Sequence, residues 1–138
     1  MTAPITLGSV TLNAPDALTL ARFYAEILRG TVRGDSRFAV VTSSAGEIDV
    51  QQVADFRPPQ WPTGNPPMHI HLDLLVQDLA GAEERVLAAG ATRFAAQPNA
   101  EHCLVFADPA GHPFCLTLWD GARALAEAAA GGADGAGS

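Results

Sequence analysis

Two stretches of this chain repeat one another 62 residues apart, and that duplication limits what the chain can fold into more than any other feature. Residues 9 to 16 read Ser-Val-Thr-Leu-Asn-Ala-Pro-Asp and residues 71 to 78 read His-Leu-Asp-Leu-Leu-Val-Gln-Asp. In each block a polar residue (Ser9, His71) precedes an Asp (Asp16, Asp78), with Leu12 or Leu74 and then Ala14 or Val76 between them. A recurring period marks two copies of one supersecondary unit. The order within each copy is an apolar strand followed by a helix start, the Asp side chain accepting from the first free N–H groups.

The first helix is predicted over Ala17 to Leu28, where Leu20, Phe23, Tyr24, Ile27 and Leu28 form one apolar stripe, and Gly30 ends it. Short strands follow at Thr31 to Arg33, Phe38 to Thr42 and Ile48 to Val53. The second copy has a strand over Ile70 to Val76 and a helix whose stripe is Leu79, Ala82, Val86, Leu87 and Ala89, ended by Gly90. Strands at Ala91 to Ala95, His102 to Ala107 and Phe114 to Trp119 complete it, with a turn over Asp108 to Pro113. Each half thus reads β-α-β-β-β, an α+β class. The stretch Asp55 to Pro67 holds five prolines and reads as an extended connector. Trp61 in it either pins the connector to the body or walls a pocket.

The expected organisation is one domain over residues 1–120, with modules at about 7–55 and 68–119 and the connector at 56–67. An Ala-rich helix from Gly121 to about Ala130 and a small, polar tail follow, together filling 121–138. With 48% hydrophobic residues the chain can bury a sizeable interior. A net charge of −7, and eight cationic side chains that are all Arg, argue against a nucleic-acid partner. No window approaches the roughly 18 apolar residues of a membrane span. Nothing in the first residues marks export, so a cytoplasmic location is the simplest reading.

The repeat, the Phe23-Tyr24 pair and the run Asp108-Pro-Ala-Gly-His-Pro-Phe-Cys-Leu116 resemble the vicinal oxygen chelate superfamily, the glyoxalase/bleomycin resistance/dioxygenase-like proteins. Val50-Gln51-Gln52-Val53, the connector around Trp61 and His71-Leu72-Asp73 narrow the resemblance to the actinobacterial glyoxalase-like branch. The resemblance implies paired βαβββ modules whose half-barrel sheets line a cup, commonly in a homodimer. Its metal-dependent members take ligands from the opening and closing strands of each module. Mapped onto this chain, those positions are Ser9, Gln51 (or Gln52 if the register slips by one), His71 and Cys115. That set offers one imidazole, one thiol and no carboxylate, so no metal and no other cofactor is expected. Were a divalent metal present, His71 with Gln51 and Cys115 would hold it.

The first reading is therefore a metal-independent protein binding a small apolar or aromatic metabolite or antibiotic, with Ser9, Gln51, Trp61, His71, Asp73 and Cys115 as ligand-binding candidates. The second is a lyase or isomerase in which His71 is the catalytic general base. By strand alternation His69, His71 and Asp73 share a face, and a carboxylate beside an imidazole is the arrangement of a base. The third is a metal-dependent glyoxalase-type enzyme. Against all three stands a structural role for His71, and Cys115 as a small buried hydrophobe. If their strands form a hairpin, Cys103 and Cys115 are diagonal neighbours, which makes a disulfide conceivable on geometry, but it ranks well below two buried thiols.

Overall fold

The structure, a computed structural model, describes residues 2–119 and 126–131. Its strands and helices run β1 (Val10–Ala14), α1 (Ala17–Leu28), β2 (Thr31–Gly34), β3 (Phe38–Ser43), β4 (Gly46–Gln52), β5 (Leu72–Leu75), α2 (Leu79–Ala89), β6 (Thr92–Arg93), β7 (Cys103–Ala107) and β8 (Pro113–Thr117). The doubled βαβββ order is thus present. Two four-stranded mixed sheets result, ordered β1-β4-β3-β2 and β5-β8-β7-β6, and neither closes on itself. In each, the opening strand lies parallel to the closing strand, and the other pairs are antiparallel.

The chain divides into two compact units, Met1–Pro58 with Asp108–Gly111, and Pro59–Ala107 with His112–Ser138. In the first, α1 lies on β3 and β4. The predicted stripe is the buried one, with Leu20, Phe23 and Tyr24 against Ala39, Val41 and Val50. Asp16 caps the helix by accepting from the Thr19 N–H at 2.9 Å. An Asp16→Ala protein should lose about 1 kcal/mol of stability, measured by urea unfolding, because that N–H then has no cap.

Helix α1 ends at Leu28 as expected, but Arg29 rather than Gly30 takes the left-handed position that terminates it, at φ 54°. Gly30 is needed for another reason: a Cβ there would come within 2.6 Å of the Thr42 carbonyl oxygen on β3. The Asp108 turn belongs to this unit too, and there Tyr24 Oη donates to Asp108 Oδ2 at 2.7 Å in a buried contact. Asp108 also accepts from the Ala110 N–H through its other oxygen at 2.9 Å, as a turn residue should. Gly111 closes the turn at φ 98°, where a Cβ would press on the ring of Pro58.

In the second unit α2 lies on β7 and β8, is capped by Asp78, and buries Val86. Leu104, Phe106, Phe114 and Leu116 are buried, and the rings of Phe106 and Phe114 stack 5.8 Å apart. Strand β6 spans two residues rather than the expected five. The Gln97 side chain replaces the missing ladder: its Nε2 donates to the Phe94 and Val105 carbonyls, and its Oε1 accepts from the Val105 N–H at 2.9 Å. The connector is not extended throughout, since Gln60 donates to the Pro66 carbonyl and accepts from the Met68 N–H. Prolines give no N–H to such a loop, but their carbonyls still accept. Of the expected terminal helix, residues 126–131 are helical, and the remainder lies outside the described residues. Among the described residues no helix is long and apolar enough to cross a membrane.

Candidate functional site

Side chains alternate across a strand, so one face of the second sheet carries residues 71, 73 and then 103, 105, followed by 113, 115 and 117. Those residues line a cavity of about 310 Å³ wholly within the second unit. Trp61, Met68, Pro98, Asn99 and Trp119 complete its wall. The opposite face, with Phe106, Phe114 and Leu116, is core. Strand β8 lies between β5 and β7 and thereby fixes the cavity floor.

Four of the six expected binding residues meet here: Trp61, His71, Asp73 and Cys115. Asp73 and Cys115 are Cα partners in the parallel ladder, and His71 Nε2 lies 3.1 Å from Asp73 Oδ1. Trp61 serves both of its readings, since it lines the cavity and meets the Phe94 ring edge-on at 5.2 Å. Trp119 is held on the other side by stacking on His102 at 5.2 Å, and its N–H donates to Thr117 Oγ1. His69 is exposed and not among the lining residues, because the regular strand begins only at Leu72.

Ser9 and Gln51 lie in the first unit. Ser9 Oγ donates to Asp49 Oδ2 at 2.8 Å, and Gln51 Nε2 donates to Asn13 Oδ1 at 2.7 Å. The ladder corrects the expected equivalence. Asp73 pairs with Cys115, and Thr11, its counterpart 62 residues earlier, pairs with Asp49. Asp49, not Gln51 or Gln52, is therefore the first-half counterpart of Cys115. Its Oδ1 is buried with no hydrogen-bond partner. Gln51 sits two residues further along the same face.

Burial pushes the Cys115 thiol well above the usual range, and contacts with Cys103 and Asp73 push it further in the same direction. Cys103 is raised too, chiefly by burial. Both sulfurs keep their protons at neutral pH, which makes neither an activated nucleophile. The sequence reading left Cys103, Asn99, Val105 and Thr117 out of the site. The positions 103 and 117 follow from alternation once the β7–β8 pairing is known, whereas nothing in the local sequence singles out Asn99.

The family model of the glyoxalase-like domain matches residues 9–117, which spans both units. The chain belongs to the glyoxalase-like domain family. Its fold is that of the wider vicinal oxygen chelate superfamily, as solved structures show. The fosfomycin resistance protein FosX from Mesorhizobium loti is similar with a TM-score of 0.66 and 16% identity over 90% of this chain and 99% of that one. A glyoxalase-related enzyme from Fulvimarina pelagi is 21% identical, with a TM-score of 0.58 over 81% and 86% of the two chains. A FosX variant from Listeria monocytogenes, solved with Mn(II) and dihydroxypropylphosphonic acid, has a TM-score of 0.65 and 16% identity over 89% and 99%. Among curated proteins the sequence finds no match.

A divalent ion in that neighbour makes the donors of this glyoxalase-like domain worth testing. His71, Asp73 and Cys115 place one ligand atom each within 4.8 Å of one another. The four positions mapped from the family omit Asp73, which brings a carboxylate to His71 and Cys115, so the donor count from which no metal was expected does not hold. One imidazole, one carboxylate and one sulfur suit a borderline ion such as zinc, whereas manganese prefers oxygen donors. When bound, such an ion would polarise a carbonyl as a Lewis acid.

Proposed function

We propose that this glyoxalase-like domain binds a small, neutral apolar or aromatic molecule in the cavity of the second unit. The observation that carries the reading is the lining: two tryptophans, Met68, Val105 and prolines, with a few polar groups converging at His71, Asp73, Asn99 and Thr117. Small-molecule sites share this character, and their volumes start at about 300 Å³. No Arg or Lys lies in the lining, and Asp73 does. A phosphonate dianion such as the one bound to the Listeria monocytogenes FosX variant would therefore meet a carboxylate and no Arg or Lys here. That favours a neutral ligand.

Trp61 and Trp119 are the chain's two tryptophans, so intrinsic fluorescence reports this cavity directly. Titration with a library of neutral aromatic metabolites should give a saturable emission change with a micromolar Kd for at least one class. Absence of any saturable change below millimolar concentration would rule the reading out.

A second reading is supported by the 3.1 Å contact of His71 Nε2 with Asp73 Oδ1. Asp73 orients the imidazole on the cavity wall, where it can take a proton from a carbon beside a carbonyl, as in a lyase or isomerase. On a substrate found by activity screening, His71→Ala should lower kcat by about 10²-fold or more. Full turnover by that variant would remove the catalytic role and leave binding.

A further inference from the structure

Gln97 lies outside the cavity lining, yet three parts of the wall hang on its amide. Its Nε2 donates to the Phe94 carbonyl at 2.9 Å, and the Phe94 ring meets Trp61 edge-on. The same Nε2 donates to the Val105 carbonyl at 2.8 Å, Oε1 accepts from the Val105 N–H, and the Val105 side chain lines the cavity. Pro98 and Asn99, the next two residues of the chain, are themselves wall. We propose that Gln97 is the positioning residue of this cavity: from outside, its amide holds Trp61 through Phe94 and Asn99 through the chain, and so sets the shape that a ligand must match.

Val105 turns its backbone N–H and C=O toward the β6 edge, but β6 ends at Arg93. The Phe94 N–H still reaches the Val105 carbonyl at 3.2 Å, and the chain then leaves the sheet. Val105 is buried, so its N–H needs a partner within the protein. Any oxygen acceptor would meet that need. It does not explain the bond to the Phe94 carbonyl, which closes residues 94–97 into a loop and carries the Phe94 ring with it. The Asn99 carbonyl accepts from the N–H groups of His102 and Cys103 at 2.9 Å each, so the stretch before β7 is pinned at Gln97 and again at Asn99.

The partners also fix the orientation of the amide, because a reversed one would set Oε1 against two carbonyl oxygens. Positioning and plain stabilisation can therefore be separated by chemistry. Gln97→Glu has the same shape and keeps an acceptor for the Val105 N–H, but its carboxylate donates to neither carbonyl. Gln97→Ala loses all three bonds.

The test uses the full chain in a Trp119→Phe background, where Trp61 is the single tryptophan and reports its own wall. Gln97→Glu and Gln97→Ala should each red-shift Trp61 emission and raise its quenching by acrylamide about twofold, as expected of a wall that opens locally. Hydrogen exchange at the Val105 amide should rise about tenfold in Gln97→Ala and much less in Gln97→Glu. Val86→Ala removes buried volume in the same unit, measures destabilisation by itself, and should leave Trp61 quenching where it was. Should Gln97→Ala not fold, Gln97→Glu carries the test, because it keeps the bond that the Val105 N–H needs. Affinity rests on the reading of the cavity as a binding site and is measured separately, in the chain that keeps Trp119, with the neutral aromatic probe N-phenyl-1-naphthylamine. Both Gln97 variants should weaken its binding about tenfold, the worth of one good hydrogen bond. Failure of the probe to bind the unaltered chain would count against the cavity reading, and Trp61 quenching decides on Gln97 either way. Quenching that neither variant changes, or that Val86→Ala raises equally, would overturn the proposal, and so would unaltered probe affinity in Gln97→Glu.

Discussion

Phe114→Ala should destabilise the protein by about 3–5 kcal/mol, the range found when a large buried ring is truncated. Phe114 is fully buried in β8, and its ring stacks on Phe106 with 26° between the planes. β8 joins β5 to β7, so the void would open beside the strand that both neighbours lean on. Phe114→Leu keeps most of the apolar volume and should cost clearly less. Urea unfolding followed by far-ultraviolet circular dichroism measures both. Equal midpoints for wild type and Phe114→Ala would mean that this face is not the core. Such a loss would take a large share of the total stability of a domain of this size, about 5–15 kcal/mol.

Tyr24→Phe should remove about 1.5–3 kcal/mol at neutral pH, the worth of a hydrogen bond to a charged acceptor. The ring itself stays, so its edge contact with Phe23 at 5.0 Å is retained. The larger consequence lies at alkaline pH. Burial raises the Tyr24 hydroxyl well above its ordinary value of 10.0, and the Asp108 charge and hydrogen bond raise it further. A raised folded-state value gives stability that is fully present below the unfolded value and lost as pH rises beyond it. Above pH about 10 the unfolded chain holds one proton fewer than the native one, so stability should fall by about 1.4 kcal/mol per pH unit. Tyr24→Phe should abolish that slope. Tyr24 is the chain's single tyrosine, so phenolate absorbance follows it without overlap from another. Native protein that ionises freely at pH 10 would contradict the buried pairing with Asp108.

The elements that were legible in the sequence are those with strong local signals. Leu20, Phe23 and Tyr24 repeat at helical spacing, Asp16 and Asp78 are caps, β1 is a short β-rich run and β8 a dense apolar one, so α1, α2 and most strands were readable. What escaped depends on pairing across the chain. The four-residue difference between the Thr11–Asp49 span and the longer Asp73–Cys115 span cannot be seen from the repeat, whose fixed offset ends with the helices. That is why Gln51 was taken for the counterpart of Cys115 and Asp49 was not. The shortness of β6 was hidden for a related reason. Only the folded chain shows that the Gln97 amide takes over the backbone bonds of Val105. A third of the cavity lining, His71, Asp73, Cys115 and Trp61, could be named in advance because strand alternation and the family motif agree there.

Alternation along β8 has a consequence for how such a domain changes over evolutionary time. Positions 113, 115 and 117 point to the cavity while 114 and 116 point to the packed interior. Swapping the odd-numbered side chains exchanges sulfur for carboxylate or imidazole without touching the hydrophobic layer that keeps the strand in place. New chemistry can therefore be sampled there one substitution at a time, on a scaffold that does not have to be rebuilt.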